Sequence, residues 1–170
     1  QKLAPRFSNF LETSWGQDSD YAQKVLALQE MMAVTLFGQG SVYQRAFLLH
    51  GAPKSGKSQL LKIVSSLVPD EAKSAVNPVD WASEFEPVGM YKKLLNVAGE
   101  LSGTRRIDGQ RFKDIVDGSE IMGRYKFHDS FLFCVTCTHW FASNHFPRTE
   151  DSSEGFTRRW LVLDFRHPVP

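Results

Sequence analysis

Eight residues, Gly51-Ala52-Pro53-Lys54-Ser55-Gly56-Lys57-Ser58, have the types and spacing needed to hold phosphate. They fit G-x-x-x-x-G-K-[ST], the P-loop pattern, in which a curled backbone aims its N–H groups at phosphate oxygens. Glycine tolerates the backbone angles such a curl requires. Lys57 would reach the outer phosphates as a point charge, and the Ser58 hydroxyl would hold Mg²⁺. Gln59 begins a helical run whose positive end completes the cradle. The residues imply ATP and Mg²⁺ as ligands.

Three further positions could complete a reaction site. Glu100 closes an apolar run, Leu94 to Ala98, in the manner of a Walker B strand, where an acid polarises the attacking water or helps to hold Mg²⁺. An ordinary strand followed by a polar loop reads the same way. Asn144 ends the run Thr138 to Ser143, with Pro147 just beyond; there it could bond a terminal phosphate or simply cap a turn. Arg158 and Arg159 precede the apolar run Trp160 to Phe165, as surface charge or as an arginine finger.

The elements that must position these groups are legible around them. Arg45 to His50 reads as a short buried strand before the loop, and Gln59 to Leu67 as a helix after it. Residues 1–40 read as a helical segment, residues 41–170 as the core. In the former, Asp18 to Asp20 offer N-caps, Tyr21, Val25, Leu28, Met32 and Leu36 share a face, and Gly38 and Gly40 end the helix. Lys73 to Val76 suggests a second strand, and Val79 to Phe85 one or two helical turns broken by Pro87. Gln110 to Val116 predicts a short helix ending at Asp117-Gly118. Ile121 to Asp129 predicts an arm and tip of a hairpin, and Glu150 to Gly155 an acidic exposed loop.

The hairpin interleaves Arg124, Tyr125, Lys126 and His128. Charges that follow phosphates beside rings that stack on bases suit a single-stranded nucleic acid. By composition alone a solvated hairpin is the plainer reading.

At 170 residues, 42% hydrophobic and 23% charged, the chain has ordinary single-domain composition. A net charge of +1 gives no global attraction to nucleic acid or membrane, so any such contact must be local. No run approaches the ~18 apolar residues of a membrane span, and the N-terminus lacks a basic-then-apolar signal pattern. The expectation is a cytoplasmic protein, and the opening Gln is what a piece of a longer one would show. Cys134 and Cys137 are spaced C-x-x-C, but no second such pair accompanies them, and the stretch around them looks extended. Two buried thiols are expected rather than a redox or zinc centre.

In this order the features resemble the ATPase domain of superfamily 3 helicases, particularly the C-terminal half of phage and plasmid primase–helicases. The carrying stretches are the P-loop, Leu94 to Glu100, Lys113 to Gly118, Arg124-Tyr125-Lys126, Phe141 to Pro147, and Gly155 to Trp160. The resemblance implies an α/β fold of the AAA+-like P-loop type: a central, mostly parallel five-stranded sheet flanked by helices. It implies a ring of like subunits, usually a hexamer, moving along single-stranded DNA. Lys57 and Ser58 would bind phosphate and Mg²⁺, Glu100 would activate water, and Asn144 would sense the terminal phosphate. Arg158 or Arg159 would reach in from the neighbour, and Lys113, Arg124, Tyr125, Lys126 and His128 would face DNA. Many members carry paired acids at Walker B, whereas here Gly99 precedes Glu100 and Leu101 follows it. A nucleotide-gated loading or initiator module without unwinding activity shares these features. A small-molecule kinase would need a phosphoacceptor pocket and lid, for which no residues stand out.

Overall fold

The computed structural model describes residues 4–101 and 103–169; residues 1–3 of the expected helical segment and Ser102 lie outside them. Two helices come first, α1 (Pro5–Trp15) and α2 (Tyr21–Leu36), then a single turn, α3 (Gly40–Tyr43). Strand β1 (Ala46–Gly51) leads into α4 (Lys57–Ser66), followed by β2 (Lys73–Ser74) and β3 (Leu95–Glu100). Next come β4 (Arg106–Ile107), α5 (Gly109–Val116), β5 (Glu120–Gly123) and β6 (Phe131–Cys134). The chain closes with β7 (Thr138–Ser143), β8 (Arg148–Thr149), α6 (Glu154–Thr157) and β9 (Trp160–Phe165).

Five strands form one sheet in the order β2-β3-β7-β1-β9, and every neighbouring pair is parallel. Parallel strands are covered on both faces, which is why β1 begins as an apolar run and why even the polar Thr138, His139 and Ser143 of β7 are buried. Alternation still sorts the side chains. Phe47 and Leu49 of β1 join Trp140 of β7 and buried residues of α1, α2 and α4 on one face. Ala46 and Leu48 join Phe141 and the buried side of α5 on the other. The edge strand β2 is pinned by buried Asn96, whose side-chain oxygen accepts from Val76 N at 2.8 Å and whose amide donates to Val76 O at 2.9 Å. Both polar ends of that side chain are thereby satisfied inside the protein.

The expected face of α2 packs on the core through Leu28, with Tyr21, Val25 and Met32 partly buried beside it, but Leu36 is exposed, and Lys24, Met31 and Thr35 are buried as well. Two polar residues occupy this face because each has a partner there. Lys24 Nζ donates to Asp18 Oδ2 at 2.5 Å and to Asp164 O at 2.9 Å. Thr35 Oγ1 accepts from Trp140 Nε1 at 2.9 Å. Burial pushes the Asp18 carboxyl up, but hydrogen bonds from Lys24 and His167 and the charges of Lys24 and Arg166 hold it below its ordinary value. Asp18 is thus a buried ion-pair member; Asp20 sits at the N-cap without a side-chain capping bond.

Three other expectations change. Pro87 opens the 3-10 turn Glu86–Met90 instead of breaking a helix, since proline is tolerated where N–H groups have no helical partner. The acidic loop is partly α6, capped by Ser153 accepting from Phe156 N, and its Asp151 is largely covered. Finally, Cys137 is buried, its thiol pushed by burial up to about 12, whereas Cys134 is exposed at the end of β6.

Candidate functional site: a cleft at the end of the sheet

The loop between β1 and α4 is held in one shape by contacts that glycine permits. Gly51 has φ +136°, and a Cβ there would lie 2.1 Å from Phe165 O. Gly56 has φ +98°, and a Cβ there would lie 3.1 Å from both Phe10 Cε2 and Ser14 Oγ. Ala52 N donates to Phe165 O at 3.1 Å, and Val169 N to Lys54 O at 2.9 Å. Ser55 Oγ donates to Ala52 O at 2.7 Å, closing the curl from within. The loop is therefore gripped by β9 below, by α1 on one side and by the C-terminal residues above.

Lys57 folds back into this curl. Its ammonium donates to Gly51 O at 2.8 Å, Ala52 O at 2.5 Å and Ser55 Oγ at 3.2 Å. Burial holds it below its ordinary pKa, while the charge of Glu100 acts in the opposite direction. A cation satisfied only by neutral oxygens in a desolvated pocket is prepared to exchange them for anionic phosphate oxygens, which bond it more strongly. Ser58 and Gln59 are exposed at the start of α4, whose free N–H groups and dipole also favour an anion.

Glu100 and Asn144 meet across this loop. They lie at or just beyond the C-terminal ends of the neighbouring strands β3 and β7, and Asn144 Nδ2 donates to Glu100 Oε1 at 3.2 Å. A register shift between Ala98 and Glu100 bulges Gly99 outward, and a Cβ at Gly99 would meet nothing within 4 Å. The bulge re-aims the carboxylate at the end of the strand. Together the P-loop, Gly99, Glu100, Ser143 and Asn144 line one cleft of about 560 Å³, joined by Phe10 and Val169. The Ser58 hydroxyl and Glu100 carboxylate are hard oxygen donors, the kind Mg²⁺ takes when phosphates and water supply its other ligands.

The two arginines part company. Arg159 is buried; its Nε donates to Asp117 Oδ1 at 2.7 Å, Nη2 bonds Asp117 Oδ2, and Nη1 bonds Gly155 O. Arg158 is exposed. Both precede β9, whose Trp160 registers with Ala46 at the start of β1, whereas Gly51, where the loop begins, registers with Phe165. Six residues of strand, roughly 17 Å, separate the arginines from their own cleft.

Arg124, Tyr125, Lys126 and His128 share the turn between the antiparallel strands β5 and β6. Arg124 is held by Glu84 at 2.7 Å and lies 4.8 Å over the Phe85 ring. Tyr125 stacks on Phe131 at 5.8 Å. Lys113 stands apart from this turn on α5, paired with Asp151 at 2.9 Å. Between Lys126 and His128 the structure adds Phe127, fully exposed at φ +64°. Its aromatic type was visible in the sequence; its place at the tip was not. Phe10 and Val169 line the cleft from outside every motif the sequence shows, and nothing in their local pattern marks them.

A parallel sheet with a glycine loop at the C-terminal end of a central strand, running into a helix, defines a P-loop fold of the AAA+-like kind. A family model spanning residues 49–159, a family of unknown function (DUF5906), matches, and the chain belongs to that family. No curated protein matches it. Among solved structures, the apo structure of the NrS-1 C terminal region is 18% identical over 95% of this chain and 38% of its own, with TM-score 0.66. An A form of the same region is 17% identical over 99% of this chain and 39% of its own, also with TM-score 0.66. JCV Helicase, bound to a substituted phenoxyphenyl acetamide, is 18% identical over 92% of this chain and 43% of its own, with TM-score 0.55. The chain spans less than half the length of each, and the shared feature is the fold. Among the described residues no helix is long and apolar enough to cross a membrane.

Proposed function

We propose that this chain is the ATP-hydrolysing motor of a superfamily 3-type DNA helicase, from a phage, plasmid or mobile-element replication protein. The observation that carries the proposal is the convergence of Lys57, Glu100 and Asn144 on one cleft, with Asn144 bonded to Glu100. In this reading Lys57 leaves its carbonyl partners for the outer phosphates of ATP. Ser58 and Glu100 would hold Mg²⁺, which when bound would neutralise charge on the phosphate oxygens. Glu100 orients water toward the terminal phosphorus and takes up its proton; the bond to the ADP oxygen breaks as the new P–O bond forms. Asn144 holds the carboxylate in position and senses the departing phosphate.

Arg158 serves a second copy of the chain. It is too far along the sheet to reach its own cleft, it is exposed, and its neighbour Arg159 is already committed to Asp117. A head-to-tail contact of this kind closes into a ring, a hexamer by resemblance, with one nucleotide at each joint. The hairpin tip then contacts single-stranded DNA, Lys126 and His128 at phosphates and Phe127 and Tyr125 at bases. The test is DNA-stimulated ATP hydrolysis, lost on Lys57→Ala and Glu100→Gln; turnover equal to wild type in both variants would refute the proposal.

A further inference from the structure

The phosphate cleft does not end at the loop. Phe10 and Gln59, both on its wall, also line an adjoining hollow of about 330 Å³ completed by Arg6, Phe7 and Ile63. Phe10 is firmly placed. One edge of its ring lies against Gly56, and its plane is within 16° of that of Phe7, with centroids 6.3 Å apart. Helix α1 is itself anchored by buried Leu11 and Trp15, the latter 4.8 Å from the Phe165 ring. The same strand end, through Phe165 O, fixes Ala52 of the loop. Helix and loop therefore share one support, and the distance between them is set by the core.

A nucleoside triphosphate whose terminal phosphate lies near Lys57, Glu100 and Asn144 must lay its sugar and base toward the other end of the cleft. That end opens at Phe10. The hollow there has two rings and the aliphatic Ile63 for a flat apolar base, with the Gln59 amide and the Arg6 guanidinium as polar groups for its edge. We propose that α1 supplies the nucleobase subsite of this cleft, with Phe10 as its stacking platform and Gln59 as a hydrogen-bond partner of the base. The inference rests on the triphosphate reading above and gives the N-terminal helix a ligand-binding role.

Calorimetric titration of the wild type, Phe10→Leu and Phe10→Trp with ATP and with inorganic tripolyphosphate tests it. Leucine keeps an apolar side chain against Gly56 but removes the aromatic face. Base–aromatic stacking predicts roughly tenfold weaker ATP binding in Phe10→Leu, unchanged tripolyphosphate binding, and near wild-type behaviour for Phe10→Trp. Equal weakening of both ligands by leucine would make Phe10 a support for the loop only, and unchanged ATP binding would put the base elsewhere; either result overturns the inference. A wild-type chain that binds neither ligand would remove the triphosphate reading, and this one with it.

Discussion

Asn144 Nδ2 donates to Glu100 Oε1 across the ends of two adjacent parallel strands, at 3.2 Å. An amide that donates to a carboxylate keeps one of its oxygens oriented and leaves the other lone pairs for water or metal. Glu100→Gln should therefore retain ATP binding while turnover falls at least about a hundredfold, the usual scale for loss of a general base. Asn144→Ala should lower kcat more than it raises KM. Steady-state kinetics beside equilibrium nucleotide binding separate the two effects, and a Glu100→Gln variant that fails to bind ATP would contradict the assigned role.

Arg158 and Arg159, adjacent in sequence, should behave as unlike residues. Arg159→Ala strips the partly exposed Asp117 of its buried partner and should cost roughly 1–3 kcal/mol of stability, read in denaturant melts. Arg158→Ala should leave the melt unchanged and abolish turnover in the assembled protein. Mixing Arg158→Ala with Lys57→Ala subunits should restore part of the activity, since one kind of mixed interface carries both groups intact. Mixed assemblies with no recovery would remove the trans role.

At the hairpin, charge and ring should separate by salt. Lys126→Ala should weaken single-stranded DNA binding and flatten its salt dependence by about one unit of slope. Phe127→Ala should weaken it by roughly 1–3 kcal/mol with the slope unchanged. Phe127 is fully exposed and sits in a left-handed conformation, so its loss removes no folded contact. Fluorescence anisotropy at several salt concentrations reads both; unaltered affinity in both variants would make the hairpin merely solvated.

Acid should attack the core through His139. Burial beside Trp81 and Phe141 holds this imidazole neutral and its pKa down to about 3. The unfolded chain takes up the proton first, so the stability is complete above pH 6.5 and is lost as pH falls toward 3. The loss should approach about 1.4 kcal/mol per pH unit in that window. His139→Phe should flatten this part of the profile in melts between neutral and acid pH. An identical profile in the variant would place the acid sensitivity elsewhere.

Much of the site could be read from the chain because its signals are local. The glycine loop follows a strand and precedes a helix within a few residues, and Glu100 and Asn144 each end a run that reads as a strand. What escaped depends on partners distant in sequence. Nothing near Arg159 distinguishes it from Arg158; Asp117, 42 residues earlier, does so. The burial of Lys24 on α2 is invisible locally, because Lys24 looks like a surface residue until Asp164, 140 residues away, supplies a carbonyl. Phe10 reads as one more apolar position on an amphipathic helix until the fold lays that helix beside Gly56.

The proposed activity is hydrolysis of ATP at the loop of Lys57, coupled to single-stranded DNA. Its most direct test is steady-state phosphate release by the full-length protein with and without single-stranded DNA, beside Lys57→Ala. Turnover should rise with DNA in the wild type and be absent in the variant. Equal phosphate release by the two proteins, or release indifferent to DNA, would contradict it.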